Sequence, residues 1–399
     1  MRAGFWAIVA LLHPSISLAE LTGVLSVDSA LSHDGFSKQE LRVEPRLDLN
    51  PMPSVWFTLK GRVRIDLDDQ IDEGRVNNDS RSTQSRRFGV GDHIDAELRE
   101  AYADFAIGRT QLRVGKQQVV WGQADGLRVL DMINPLSYRE FILGDFEDRR
   151  IPLWMVNAEV PVGDVVLQGL LIPDQTYDDL PALGSEFRFT SLRASDIDYN
   201  KPSRVWADAD VGFKVSAFTR GWDWSVNYLR HYRDEARLGF VNGDLVGDYY
   251  RSQLIGVSGS KAFGDGVIRL ELGHDSDYWD AEARALESRK SAVVGYDYSG
   301  FSETFISVQY FVSKLNSESI ERASVLASRD LLNDRIKIEV LALHDLGDDD
   351  GVIQLDIAYE ASSSLLIKLG SDSFYGSGSG DFGQFDSRDR IRLGLEYSF

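Results

Sequence analysis

The final ten residues of the chain alternate between apolar side chains and charged or small ones, up to the last phenylalanine. The apolar set consists of Ile391, Leu393, Leu395, Tyr397 and Phe399, and the intervening set consists of Arg390, Arg392, Gly394, Glu396 and Ser398. Successive side chains of a β-strand point to opposite faces, so this segment predicts a strand with one apolar and one polar face. Water-soluble sheets contain such strands too, but they rarely close a chain on an aromatic residue.

Alternation of the same kind recurs along much of the chain. It is clearest at residues 41–49 and 55–66, and it is weaker at residues 222–232, 335–341, 352–360 and 365–370. Chance rarely produces so many segments of period two. They predict a protein that is built mainly from amphipathic strands.

The connections between the predicted strands alternate between short and long. The short ones fall near residues 51–53, 108–109, 161–164, 220–221, 263–266, 299–302, 332–334 and 361–364, and the long ones at 32–38, 69–92, 123–150, 174–203, 234–248, 280–289, 316–321, 347–350 and 376–388. Outer-membrane barrels have this arrangement, with short periplasmic turns and long external loops. We therefore predict an all-β chain that forms a transmembrane antiparallel β-barrel of about 18 strands, with about 16 strands as the alternative.

The first residues have the composition of a secretory signal peptide. Arg2 supplies a positive charge, residues 3–12 form a short apolar run, and residues 17–19 offer small side chains for cleavage. A helix that spans a bilayer needs roughly 20 apolar residues, about twice the length of this run. We therefore predict a cleaved signal peptide at residues 1–19, and a barrel at residues 20–399 in the cell outer membrane of a Gram-negative bacterium.

Charge and composition exclude several classes of function. With 43 Lys and Arg against 63 Asp and Glu, the formal net charge is −20, which argues against a nucleic-acid partner. The chain has no cysteine, so disulfides and thiolate metal sites are excluded. The acidic runs do not form a complete calcium-binding loop of the EF-hand kind. We therefore expect no metal site and no cofactor.

An outer-membrane hydrolase is an alternative from a different functional class. His231 is the best-placed histidine, on the polar face of its predicted strand with Ser225 and Asn227. A solitary histidine in such a position more often lines a lumen than performs catalysis, because catalysis needs a nucleophile and a base within hydrogen-bonding reach. We therefore predict no catalytic residues and a protein that is not an enzyme.

Residues 113–135, RVGKQQVVWGQADGLRVLDMINP, form the most distinctive stretch of the chain, and residues 139–141 and 149–153 continue it. The stretch resembles the hallmark segment of a family of uncharacterised proteobacterial outer-membrane barrels, a domain of unknown function related to alginate-export-like porins. This resemblance implies a monomeric barrel with a porin-like role and no settled substrate. The last strand also resembles the closing strand of outer-membrane barrels, whose terminal aromatic residue, here Phe399, is read by the barrel assembly machinery.

Residues 123–150 are too numerous and too mixed in composition for a solvent-exposed loop. Apolar residues such as Leu127, Leu130 and Phe141 need burial. A barrel of this size has a wide, water-filled lumen, and a loop folded inward onto the wall would narrow it. We predict that this loop forms a constriction, with an external lid or a contact surface between barrels as alternatives. The polar residues assigned to the constriction are Asp125, Arg128, Asp131, Asn134, Arg139, Glu140, Asp145, Glu147 and Asp148.

Basic side chains recur on the polar faces of the first and last predicted strands. The basic residues predicted to line the pore are Arg42, Arg46, Lys60, Arg62, Arg64, Arg390 and Arg392. Barrel closure would bring them together in one ladder of cations that faces the acidic residues of the inward loop. The alternative is that acidic residues on the same strands neutralise the ladder in ion pairs, and the sequence leaves both interpretations open. Those acidic residues are Glu44, Asp48, Asp66 and Glu396.

These features predict a porin-like channel for facilitated diffusion of small polar or anionic organic solutes. The expected partners are the solute, outer-membrane lipid and lipopolysaccharide, and a monomer is favoured over an oligomer. The alternative is a barrel component of a transport or export system for lipids or other hydrophobic compounds. The apolar loop residues that would suit such cargo are Leu180, Leu183, Phe187 and Phe189. A purely structural or adhesive barrel is a third interpretation.

Overall fold

Eighteen antiparallel strands form a closed barrel in the computed structural model, which describes residues 19–71, 74, 76–124, 126–192, 197–316 and 318–399. The predicted signal peptide lies outside the described residues except for Ala19, and Asp125 of the predicted constriction also lies outside them. Among the described residues, no helix is long and apolar enough to cross a membrane.

Eighteen of the described strands build the barrel, and four lie in loops. The barrel strands are β1 (Ala19–Ser32), β2 (Gly35–Met52), β3 (Val55–Asp66), β5 (Ile94–Ile107), β6 (Thr110–Gln117), β7 (Leu153–Val162), β8 (Val165–Ile172), β10 (Asp210–Thr219), β11 (Trp222–Tyr232), β14 (Arg251–Phe263), β15 (Gly266–Asp280), β16 (Ala285–Phe301), β17 (Thr304–Lys314), β18 (Ser319–Leu331), β19 (Ile336–Asp345), β20 (Asp350–Ser362), β21 (Leu365–Tyr375) and β22 (Arg390–Ser398). The loop strands are β4 (Phe88–Val90), β9 (Asp198–Asn200), β12 (Arg237–Val241) and β13 (Asp244–Asp248). Helix α1 spans Phe146–Arg149, and single turns of 3-10 type lie at Thr83–Ser85, Thr190–Leu192 and Gly383–Arg388.

The barrel closes between its first and last strands. β22 pairs antiparallel with β1, with Arg390 opposite Ser32 and Ser398 opposite Val24. The terminal Phe399 exchanges two backbone hydrogen bonds of 2.9 and 3.0 Å with Gly23. The other barrel strands pair antiparallel with the barrel strands next to them in the chain, so the described strands form a complete ring. The prediction of an all-β barrel of 18 strands is confirmed, and the alternative of 16 strands is wrong.

The two faces of the strands separate as the alternation predicts. On β22, Ile391 is 61% exposed on the outer surface, whereas its neighbour Arg390 is only 4% exposed. Leu393, Leu395 and Tyr397 continue the exposed row. Other barrel strands present apolar side chains outward in the same way, and together they form an apolar belt. Such a belt is typical of the lipid-facing surface of transmembrane barrels.

Short and long connections lie at opposite ends of the barrel, named here the turn end and the loop end. Turn-end connections cover residues 53–54, 108–109, 163–164, 220–221, 264–265, 302–303, 332–335 and 363–364, and loop-end connections cover 33–34, 67–93, 118–152, 173–209, 233–250, 281–284, 315–318, 346–349 and 376–389. The predicted tight turns are confirmed. Two loop-end connections, 33–34 and 281–284, are much shorter than predicted, because strands such as β15 and β16 continue beyond the apolar belt, where their polar residues had indicated loops.

Candidate functional site

The connection between β6 and β7, loop 118–152, lies inside the barrel. Its apolar side chains are largely buried, and Leu130 and Ile151 have no exposed surface at all. Leu127, Leu130 and Phe141 of the loop belong to one hydrophobic cluster with inward-facing wall residues such as Leu170 and Leu254. The interior of a barrel of 18 strands is too wide for wall side chains alone to fill. The loop therefore supplies the core that the wall lacks.

One side of loop 118–152 contacts the wall at strands β14 and β15. Gly256 lies so close to Leu130 that a Cβ atom at position 256 would overlap with the Leu130 side chain, and a Cβ at Gly273 would stand 3.0 Å from Val129. Glu271 accepts backbone hydrogen bonds from Gln123, from Ala124 at 3.0 Å and from Leu130 at 3.2 Å. This part of the wall is therefore shaped to hold the loop.

The other side of loop 118–152 contacts the opposite part of the wall through ion pairs. Asp148 in α1 accepts hydrogen bonds of 2.7 Å from both Arg42 and Arg62. Glu140 lies 2.6 Å from Lys38 and 2.9 Å from Arg390. The loop thus crosses the lumen, from β14 and β15 to β2, β3 and β22.

These ion pairs fix the charge of both loop carboxylates. Burial alone would raise the pKa of Asp148, but Arg62 and Arg42 outweigh it and hold that pKa well below its usual range. Burial would also raise the pKa of Glu140, and Lys38 and Arg390 lower it well below its usual range instead. Both groups are therefore anions at neutral pH.

An aromatic cluster joins three of the loop-end connections. The ring of Phe141 lies 4.7 Å from that of Phe385 and 5.7 Å, edge-on, from that of Phe189. Phe187 also contacts Phe385, with 6.0 Å between the ring centroids. Phe187 and Phe189, which the sequence offered as contacts for a hydrophobic cargo, are thus occupied in holding loops 118–152, 173–209 and 376–389 together.

A second contact between loops contains two buried carboxyl groups. Asp178 accepts a hydrogen bond of 2.6 Å from the Leu136 backbone, and its own N–H donates to the Asp234 carbonyl at 3.3 Å. Burial raises the pKa of Asp178 to about 6, although Arg128 opposes the effect. Burial and the neighbouring Asp178 also raise the pKa of Asp234 well above its usual value.

The predicted basic residues are all paired with carboxylates, at distances of 3.6 Å or less. Some partners are wall residues, such as Glu44 beside Lys60 at 3.2 Å and Asp48 beside Arg46 at 2.7 Å. Others belong to the loop, as Asp148 does. Both sequence interpretations therefore describe part of the arrangement. Two of the expected wall partners make other contacts: Asp66 accepts from the Ile71 backbone, and Glu396 pairs with Lys368.

Several residues assigned to the constriction fix the fold of loop 118–152 itself. Arg128 donates to the backbone carbonyls of Asp131 and Asn134, and the Asn134 side chain bonds the backbone of residues 119 and 151. Asp131 pairs with Arg150 at 2.7 Å. Two other residues assigned to the constriction point away from the loop: Arg139 forms an ion pair of 2.6 Å with Glu40 on the wall, and Glu147 is exposed. Burial raises the pKa of Asp145, which borders the cavity described next.

A cavity of about 1270 Å³ remains between loop 118–152 and the wall. Fifteen Lys and Arg residues line it against eleven Asp and Glu residues. The whole chain has the opposite balance, with 43 Lys and Arg against 63 Asp and Glu. The interior is therefore enriched in cations within a strongly acidic protein. Five of the seven predicted basic residues line the cavity, whereas Arg46 and Lys60 are not among its lining residues.

Sequence reasoning missed the wall residues that receive the loop. Glu271 occupies the polar face of its strand, as do many lumen residues, and nothing local distinguishes it. Gly256 and Gly273 carried the available signal, because glycine at an inward strand position indicates close approach of another segment. His231 is buried on the inward face of β11, and Ser225, six residues earlier on the same strand, donates to Asn227 at 2.7 Å.

Comparison with known proteins supports the fold. The model of a family described as "Protein of unknown function (DUF1302)" matches residues 38–272. No curated protein matches the chain. The chain is similar to the Pseudomonas aeruginosa outer membrane protein OpdK (TM-score 0.57, 10% identity, covering 96% of this chain and 99% of that one). It is also similar to P. aeruginosa OpdK with vanillate (0.56, 12%, 96% and 98%) and to P. aeruginosa OccK2 (OpdF) in complex with glucuronate (0.56, 11%, 96% and 97%).

Proposed function

The chain belongs to the family described as "Protein of unknown function (DUF1302)", and for this member we propose the function of an outer-membrane channel through which small organic anions diffuse down their gradients. The observation that carries the proposal is the cationic balance of the cavity, fifteen Lys and Arg against eleven Asp and Glu. A lumen lined by excess positive charge raises the local concentration of anions. The relation to alginate-export-like porins stays a prediction.

The outer surface supports a place in the outer membrane. Exposed apolar side chains surround the barrel, as Ile391 and Leu393 do on β22, and a surface of this kind is stable in lipid but not in water. The structural neighbours include a protein described as an outer membrane protein, and two neighbour structures hold vanillate or glucuronate, both organic anions.

We assign the constriction of this channel to loop 118–152, which includes the predicted segment 123–150. Support comes from its contacts with opposite parts of the wall, at Glu271 on one side and at Arg62 on the other. Deletion of residues 127–145 is expected to raise the single-channel conductance several-fold. An unchanged conductance would show that the loop does not form the constriction. It would not bear on the anion selectivity, which is tested separately.

Charge selectivity tests the channel itself. In a planar bilayer with a KCl gradient across it, the purified protein is expected to give a reversal potential close to the equilibrium potential of chloride. The double variant Arg42→Gln/Arg392→Gln is expected to shift the reversal potential toward the equilibrium potential of potassium, because both residues line the cavity. Arg46→Gln is the matched control: Arg46 pairs with Asp48 at 2.7 Å but is not among the residues that line the cavity. A cation-selective or non-conducting wild type would overturn the proposal.

A further inference from the structure

Three basic side chains lie next to each other on the outer surface of the barrel, on the neighbouring strands β15, β16 and β17. His274 lies directly opposite Lys290, and Lys290 lies directly opposite Lys314. On the same strands Leu272 and Val294 are 56% and 45% exposed on the outer surface, so the alternation places His274 and Lys290 outside as well. Residues directly opposite each other share a face, and all three basic side chains are exposed. We name His274, Lys290 and Lys314 the basic row.

The basic row lies at the loop-end edge of the apolar belt. Toward the turn end, each lysine is followed by outward apolar or aromatic residues. They are Ala292, Val294 and Tyr296 on β16, and Val312, Tyr310 and Val308 on β17. In the other direction β17 ends at Lys314. Lipid head groups lie at such a boundary, so the ammonium groups reach the polar layer of the membrane while the residues below them contact acyl chains.

The basic row has no anionic partner within the part of the chain that the structure describes. No described side chain forms an ion pair or a hydrogen bond with any of its three members. Glu321, an outward carboxylate on the neighbouring strand β18, instead accepts a hydrogen bond of 2.6 Å from the Tyr310 hydroxyl. The inward neighbour of Lys290 differs, because Arg289 pairs with Asp275 at 2.9 Å. Cations that face the lumen are thus neutralised by the protein, whereas the basic row is not.

The geometry of the row suits a phosphate group. The Cβ atoms of directly opposite residues stand about 5 Å apart, and like charges in such a pair are destabilising. A phosphate has three free oxygens and more than one negative charge, so it can accept hydrogen bonds from Lys290 and Lys314 at the same time. His274 extends the row by one further strand spacing, to a length of about 10 Å. An anion in the surrounding membrane would therefore offset the repulsion that the protein leaves in place.

We propose that the basic row binds phosphate groups of lipopolysaccharide, and that the acyl chains of the bound lipid cover the outward residues Leu272, Val294 and Val312 below it. Long loops lie on the external side of outer-membrane barrels, so the loop-end edge of the belt faces the leaflet that contains lipopolysaccharide. A row of three basic positions also fits a head group with more than one phosphate. The inference depends on the outer-membrane location, and it is independent of the solute and of the charge selectivity of the channel.

Lipid A, the phosphorylated membrane anchor of lipopolysaccharide, is a direct probe of this surface. The purified protein in detergent micelles is titrated with diphosphoryl lipid A, and native mass spectrometry measures the fraction of barrels that carry the lipid. The wild type is expected to bind diphosphoryl lipid A about tenfold or more tightly than its dephosphorylated form. A basic residue near an anionic lipid contributes a factor of about five, so Lys290→Gln/Lys314→Gln should weaken binding about 25-fold. Equal affinity of the wild type for the two lipids would overturn the inference.

The matched control is Lys261→Gln/Arg329→Gln, which removes two outward cations at the turn end of the barrel. Lys261 lies 5.4 Å from the centre of the Trp222 ring, and Arg329 is exposed. This variant is expected to keep the wild-type affinity, and a loss equal to that of Lys290→Gln/Lys314→Gln would reduce the effect to overall charge and overturn the site. Phosphatidylglycerol, which has a single phosphate, is expected to compete poorly with lipid A. Competition at equal concentrations would overturn the assignment to lipopolysaccharide.

Discussion

Arg62 of β3 donates a hydrogen bond of 2.7 Å to Asp148, and this pair joins the barrel wall to the helix α1 of loop 118–152. The Arg62 side chain has no exposed surface, and it also contacts Glu44 and, at 3.7 Å, Glu97. A buried guanidinium needs such partners, because an unpaired charge away from water is strongly destabilising. The loop carboxylate is therefore part of the barrel's charge balance as well as a contact of the loop.

Replacement of Asp148 should loosen the loop and destabilise the barrel. In Asp148→Asn, Arg42 and Arg62 lose a shared anion, so the free energy of unfolding is expected to fall by about 1–3 kcal/mol. Urea-driven unfolding in lipid vesicles measures this change, and open-channel current noise is expected to increase. Glu147→Gln makes the same chemical change one residue earlier on an exposed side chain, so equal effects of the two variants would contradict the assignment.

Gly256 provides a second test of how the loop is held. A Cβ atom at this position would overlap with Leu130, so Gly256→Ala should displace the loop from the β14–β15 wall at a cost of about 1–3 kcal/mol. The expected readouts are a lower free energy of unfolding and a larger conductance. Gly259→Ala lies on the same strand, where an added Cβ would stand an ordinary 3.7 Å from Trp222. A wild-type conductance in Gly256→Ala would show that Leu130 adapts without movement of the loop.

Barrel closure depends on the fit between Gly23 and the terminal Phe399. A Cβ atom at position 23 would collide with the Phe399 ring, so Gly23→Ala is expected to slow refolding into vesicles and to lower the free energy of unfolding by about 1–3 kcal/mol. The double variant Gly23→Ala/Phe399→Ala removes the clash, so the two changes should be less damaging together than their sum. Heat-dependent mobility on gels measures the folded fraction. Additive losses would contradict the steric explanation.

The sequence was sufficient to predict the barrel because the decisive signal is local. The alternation within each strand shows which side chains lie on which face, as it does for Ile391 and Arg390. The short turns mark where one strand ends and the next begins. The strand number followed from the count of hairpins. Loop lengths were harder to predict, since the polar residues Glu287 and Arg289 belong to a strand that extends beyond the apolar belt.

The site could be predicted only in part because its contacts join distant residues. Glu140 contacts Lys38 across 102 positions of the chain, and Glu271 accepts hydrogen bonds from loop residues 141 to 148 positions away. A carboxylate on the polar face of a strand looks the same in the sequence whether it lines water, neutralises an arginine or accepts three backbone hydrogen bonds.

The two buried carboxyl groups between the loops predict a dependence on pH. Burial raises the pKa of Asp178 to about 6, so its neutral form is favoured where loops 118–152 and 173–209 meet. The neighbouring charged groups are Arg128 and Arg233, which lower its pKa, and Glu235, which raises it. Because the raised pKa belongs to the folded state, the stabilising contribution is complete below about pH 4 and is lost as the pH rises through about 6.

Open-channel noise and conductance are therefore expected to increase between pH 4 and pH 7, as ionised Asp178 weakens the contact between the loops. Asp178→Asn should remove about half of this change or more, because the amide stays neutral and its oxygen can still accept the Leu136 N–H. Asp179→Asn is the control, since Arg81 and Arg87 outweigh burial and lower the pKa of Asp179, so that it stays ionised across this range. The Asp179→Asn control should shift the plot of conductance against pH as a whole, without changing its slope between pH 4 and pH 7. A profile that keeps its slope in Asp178→Asn would assign the titration to Asp234 or to a group elsewhere in the lumen.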